Sequence, residues 1–194
     1  MKRACVFCAS SQQVPKIFFD DAILLAQQLV ENKFVVQYGG GAMGLMGALA
    51  DEVIRQKGHI TGIIPHFMVE VEWEHKGVRD MIHVNTMAER KQLLVKNVDA
   101  VIALPGGTGT FEELFEVLSN KKLGIFTKPV VLVNTNGFFN PFVDLMTSMA
   151  ENRFLRDEHL NMFSVVDSPL QVAKAIEESA DWGRTAARSM AALR

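Results

Sequence analysis

The chain has 194 residues, 48% of them apolar, enough for one domain with a sizeable core and too few for two comfortable ones. Its 20 Lys and Arg stand against 22 Asp and Glu, so there is no broad basic field to neutralise a nucleic-acid backbone, and polymeric nucleic acid is not an expected partner. No window approaches the roughly 20 apolar residues of a membrane span, and two cysteines do not make a secreted disulfide scaffold, so a cytoplasmic protein with no membrane partner is expected.

The start, MKRACVFCAS, carries an apolar run of about seven residues that ends in SSQQ without a typical cleavage site, and it reads as the first strand rather than as a leader. Cys5 and Cys8 form a CxxC there, but three residues apart on a strand they point to opposite faces. No second CxxC or CxxH completes a metal site, so buried inert thiols and metal-independent chemistry are expected. Further strand candidates follow in order: FVVQY, HITGII, MIHVN, AVIALP, PVVLV and FSVV, with amphipathic helical patterns filling most of the gaps.

That alternation predicts an α/β fold, Rossmann-like and doubly wound, with a mainly parallel sheet of about seven strands, helices on both faces, and ligands at the carboxyl ends of the strands. Residues 65–78, PHFMVEVEWEHKGV, break the rhythm and read as a long loop over the cleft. Residues 1–180 form the single domain in this reading. The segment GRTAARSMAALR after Trp182 has three arginines and little core pattern, so 181–194 is taken as a peripheral helix or tail.

Two glycine loops stand out. In YGGGAMGLMG, Gly39, Gly41 and Gly44 satisfy GxGxxG between a strand and a helix, and with Gly40 they are candidates for a phosphate loop at a helix N-terminus. The acidic residue that a dinucleotide site wants about 20 positions on is replaced by Ile64, Pro65 and His66, and a plain packing turn is the competing reading. The second loop, ALPGGTGTFEELFEV, leads from a strand into a helix with an apolar stripe at Phe111, Leu114, Phe115 and Leu118. Thr110 is its expected N-cap, with Glu113 three residues on as a capping-box partner; a structural Glu113 therefore competes with a chemical one.

Between the loops, TMAERKQLLVKNV opens with a second capping box, Thr86 to Glu89. At about 100° per residue Arg90 falls between Met87 and Leu94 on the helical wheel, with Lys91 within roughly 60° of the same stripe. Charges on an inward face need a partner, so the pattern implies an anion inside, unless both side chains snorkel to water.

GGGAMGLMG, ERK and PGGTGTFEE in this order and spacing resemble the LOG family, cytokinin riboside 5′-monophosphate phosphoribohydrolases often mislabelled lysine decarboxylases. The resemblance implies a Rossmann-like fold, a homodimer, no cofactor, and hydrolysis of the N-glycosidic bond of a nucleoside 5′-monophosphate to free base and ribose 5-phosphate. By resemblance Arg90 and Glu113 are catalytic; Lys91 and the stretch Gly107, Thr108, Gly109, Thr110, Phe111 and Glu112 bind substrate, as do Glu72 and Ser119 less securely. In the mechanism this implies, Glu113 faces the ribose carbon, Lys91 and the loop amides hold the phosphate, and Arg90 binds an anionic part of the substrate and keeps Glu113 ionised. Two departures, Ala88 where the family has histidine and SNKK at 119–122, leave the base preference open. The rival from another class is a non-catalytic carrier of a nucleotide or of the molybdenum cofactor, which needs the loop but not the carboxylate.

Overall fold

In the computed structural model, residues 1–69, 74–179 and 182–183 are described. Seven strands form one sheet: β1 (Lys2–Phe7), β2 (Phe34–Tyr38), β3 (Ile60–Pro65), β4 (Asp80–Val84), β5 (Ala100–Ala103), β6 (Val130–Val133) and β7 (Ser164–Val166). Their order is β4-β3-β2-β1-β5-β6-β7, and every ladder between them is parallel. The helices are α1 (Lys16–Glu31), α2 (Gly44–Arg55), α3 (Met87–Leu94), α4 (Thr108–Lys122), α5 (Asn140–Glu151) and α6 (Val172–Glu178). Each strand expected from the sequence is present, and the sheet is more uniform than the mainly parallel one anticipated.

The pleat divides the strand residues between two cores. Ala4, Val6, Ile102, Leu104, Val131 and Val133 pack with α1, α2 and α6 on one face. Cys5, Phe7, Val101, Ala103, Val130 and Leu132 pack with α3, α4 and α5 on the other. Strands covered on both faces need continuous apolar runs, which is why these segments read as unbroken hydrophobic stretches. Cys5 and Cys8 fall in opposite cores and form no disulfide. Among the described residues, no helix is long and apolar enough to cross a membrane.

β1 is the first strand laid down and also the hub. The chain runs outward from it through β2, β3 and β4, then crosses back by α3 to place β5 on its other side. The order reverses between β1 and β5, and the loops leaving their carboxyl ends must part there, opening a crevice. Backbone bonds from Leu104 N to Phe7 O (2.9 Å) and from Ala9 N to Pro105 O (3.3 Å) hold those two ends side by side.

The 65–78 segment begins with a short 3-10 turn, His66–Met68, and returns through Glu74, whose backbone bridges Gly41. His75 N donates to Gly40 O, so the segment's far end is tied to the first glycine loop. Glu72 lies outside the described residues, as does the 181–194 tail apart from Trp182 and Gly183. Trp182 is buried in the core and donates through Nε1 to Lys121 O at 2.5 Å, which carries the packed domain two residues past the expected boundary at 180.

Candidate active site

α3 starts where the sequence placed it. Thr86 caps the helix, accepting from Glu89 N, while the Glu89 carboxylate accepts from Asn85 N at 2.8 Å and Thr86 N at 3.3 Å. This fixes the first turn and turns Arg90 inward, where only 6% of it remains exposed. Its Nη1 donates to Glu113 Oε1 at 2.8 Å, its Nε to Ile63 O at 3.2 Å and its Nη2 to Gly39 O at 3.3 Å. With three of its five N–H groups engaged by protein, the guanidinium is a fixed strut rather than a loose cation. Glu113 is nearly as buried, its side chain 11% exposed, and the two charges compensate each other where neither alone would be tolerated.

Gly39 explains itself here: a Cβ at that position would stand 2.3 Å from Arg90 Nη2. The rest of the first loop serves backbone packing. Gly44 has φ +60°, and a side chain there would meet the Ser10 carbonyl carbon at 2.5 Å; Gly40, at φ +83°, faces Ile64. The first amides of α2 are also taken, Leu45 N and Met46 N both donating to Ala9 O at 2.9 and 3.3 Å. A helix N-terminus binds an anion through such amides, and this one already grips a carbonyl.

α4 is built differently. Its N-cap is Gly107, so the helix begins at Thr108, three residues before the first helical position that an N-cap at Thr110 would set. Thr110 instead lies in the first turn, its hydroxyl packed over Gly106, where a Cβ would come within 2.1 Å of Thr110 Oγ1. Glu113 then sits beyond the first turn and does not close a capping box; its carboxylate faces Arg90. No side chain caps the helix, and Cβ atoms built at Gly107 or Gly109 would meet nothing within 4 Å.

These parts enclose a cavity of about 290 Å³ at the carboxyl ends of β1 and β5. One wall is Gly107, Thr108, Gly109 and Thr110, the floor is Arg90 and Glu113, and the other wall is Cys8, Ala9, Ser10 and Ser11, with Gly39 and Met46 between. Cys5 lies beneath; burial first, and the Glu113 carboxylate second, push its thiol well above the ordinary range, so it stays protonated and inert.

Other expected site residues lie elsewhere. Lys91 is not in the cavity wall: its ammonium pairs with Glu112 and, at 2.6 Å, with Glu116, and the bonds to those two carboxylates raise its pKa. Phe111 joins an aromatic cluster, its ring 6.1 Å from that of Phe138 and 5.9 Å from those of Phe139 and Phe142. Ser119 is exposed about three turns along α4. The sequence reading overlooked Ser10 and Ser11; their signal was a pair of hydroxyls just past the first strand, at the end where ligands are expected.

A parallel, doubly wound sheet with a buried arginine–carboxylate pair at its switch point defines a Rossmann-like protein built to act on a small ligand. Residues 46–176 match the family model described as possible lysine decarboxylase. The chain is 38% identical over 177 residues to a cytokinin riboside 5′-monophosphate phosphoribohydrolase of Arabidopsis thaliana, covering 91% of this chain and 83% of that one. It is 37% identical over 177 residues to a probable enzyme of the same name from Oryza sativa subsp. japonica, covering 91% and 72%. The chain belongs to the LOG family. In fold it resembles the molybdenum cofactor carrier protein of Chlamydomonas reinhardtii, with a TM-score of 0.70 at 18% identity over 91% of this chain and 96% of that one. A molybdenum cofactor binding protein from Rippkaea orientalis gives a TM-score of 0.68 at 22% identity over the same shares of the two chains, 91% and 96%.

Proposed function

We propose that the protein hydrolyses the N-glycosidic bond of a nucleoside 5′-monophosphate, of the cytokinin riboside monophosphate or AMP type, releasing free base and ribose 5-phosphate. The observation that carries this is the buried Arg90–Glu113 pair, which presents a carboxylate to the same cavity that the start of α4 opens into. Cleavage breaks the bond from the anomeric carbon to the base nitrogen; water supplies hydroxide to the carbon, and its proton goes to the departing base. The sugar acquires oxocarbenium character on the way, and a fixed carboxylate stabilises it electrostatically.

Glu113 meets that demand and orients the attacking water. Arg90 acts through Glu113, as a positioning residue, its bonds to Gly39, Ile63 and Glu113 fixing the guanidinium against the carboxylate. The phosphate sits on the first-turn amides of Thr108, Gly109 and Thr110, where the helix dipole favours negative charge. A carrier would need the loop and nothing of the buried carboxylate, and the carriers' likeness to this chain is one of fold alone. The same reading includes a cytoplasmic homodimer, consistent with exposed apolar side chains such as Phe67, Ile125 and Phe154, and light scattering measures its mass.

Incubation with AMP, GMP, CMP and IMP beside the matching nucleosides, with assays for free base and ribose 5-phosphate, tests the reading. Release from at least one monophosphate and little from the nucleosides is expected. Glu113→Gln should lower kcat by about a thousandfold while nucleotide binding persists. Equal release from nucleosides, or full turnover in that variant, overturns it.

A further inference from the structure

Among the described residues lining the cavity the one cation is Arg90, and three of its five N–H groups are held by Glu113, Gly39 and Ile63. Lys91 is neutralised by Glu112 and Glu116 away from the cavity wall. A phosphate entering here finds no lysine in the lining, and most of the donors on offer are neutral. The first turn of α4 supplies one set, and the opposite wall supplies Ser10 and Ser11.

That wall is held firmly. Ala9 O takes both Leu45 N and Met46 N, and Ala9 N is tied to Pro105 O. Gly44 lets α2 close on the loop so tightly that a Cβ would stand 2.5 Å from the Ser10 carbonyl carbon. Ser11 Oγ accepts from Gln13 N at 3.3 Å, which fixes the oxygen and leaves its O–H as the group to give away. The first glycine loop thus shapes the ligand site at second hand, by pinning the backbone beside a serine pair that lines the same cavity as the start of α4.

We propose that Ser10 and Ser11 donate hydrogen bonds to the 5′-phosphate from the wall facing α4, so that the phosphate is recognised between hydroxyls and helix amides, with no lysine in contact. This rests on the nucleoside monophosphate reading and adds to it the residues that make the phosphate, rather than the sugar alone, the specificity handle. Both serines are exposed, so removing their hydroxyls leaves the core untouched.

Calorimetric titration with ribose 5-phosphate, on the wild type and on Ser10→Ala, Ser11→Ala and the double variant, tests this beside steady-state kinetics on AMP. Each hydroxyl lost should weaken ribose 5-phosphate binding by about tenfold. KM should rise in parallel while kcat stays within about threefold, with thermal melting unchanged. A double variant that binds ribose 5-phosphate as the wild type does, or one in which kcat falls and KM holds, overturns the proposal. Serine-dependent binding in a protein that hydrolyses no monophosphate would sustain the cradle and bring down the hydrolase reading instead.

Discussion

Arg90 and Glu113 each make sense only in the presence of the other. Removing one member of a buried pair leaves an uncompensated charge, so Arg90→Met should destabilise the fold by about 3 to 5 kcal/mol, measured by urea denaturation. Lys91 is the contrary case: with its ammonium already matched by Glu112 and Glu116, Lys91→Gln should move KM for AMP by less than about threefold. That Arg90 turns inward was legible from the wheel, because it falls between two apolar residues of one short helix. The fate of Lys91 was not, since a side chain at the edge of the stripe goes wherever a partner waits, and its partners stand on another helix. Glu113 was ambiguous for a related reason: its local pattern suits a cap, and only the true start of α4, fixed by the packing of Thr110 on Gly106, decides against it.

Two helix N-termini at the same sheet edge looked equivalent in sequence and are not. α2 donates its first amides to Ala9 O, whereas α4 is capped by no side chain and opens beside the cavity. The difference is tertiary, set by how closely the β1 loop approaches Gly44, and no pattern of glycines announces it. Gly39 has its own purpose, and Gly39→Ala should push the guanidinium aside and cut kcat by about a hundredfold with the fold retained, as circular dichroism would show. The cap of α3 acts more gently. Thr86→Ala removes one side of a capping box and should cost about 1 kcal/mol, visible as a lowered denaturation midpoint.

At the scale of the molecule, seven strand runs, alternating with helices, were enough to define the fold, because strands buried on both sides must be apolar throughout. The strand order was not written in any one segment; it follows from handedness and from the crossover through α3. The packed domain also contains a charge that the site does not use. Lys121 is 3% exposed, its ammonium 2.5 Å from Lys128 O, and burial lowers its pKa from 10.5 to about 8. Between those values the unfolded chain holds a proton that the native state has released, so stability rises with pH across that window. The gain is on the order of 2 to 3 kcal/mol. Comparing the denaturation of Lys121→Met with that of the wild type from pH 7.5 to 10.5 should isolate this slope, with the variant the flatter of the two.

Because the amides of Thr108 to Thr110 and the carboxylate of Glu113 ride on one α-helix, their separation is set by a rise of about 1.5 Å per residue and cannot adapt to the guest. α4 works as a ruler. A nucleoside diphosphate seated by its terminal phosphate would carry its anomeric carbon past the mark, and a nucleoside 3′-phosphate would fall short of it, so both should bind as spectators rather than turn over.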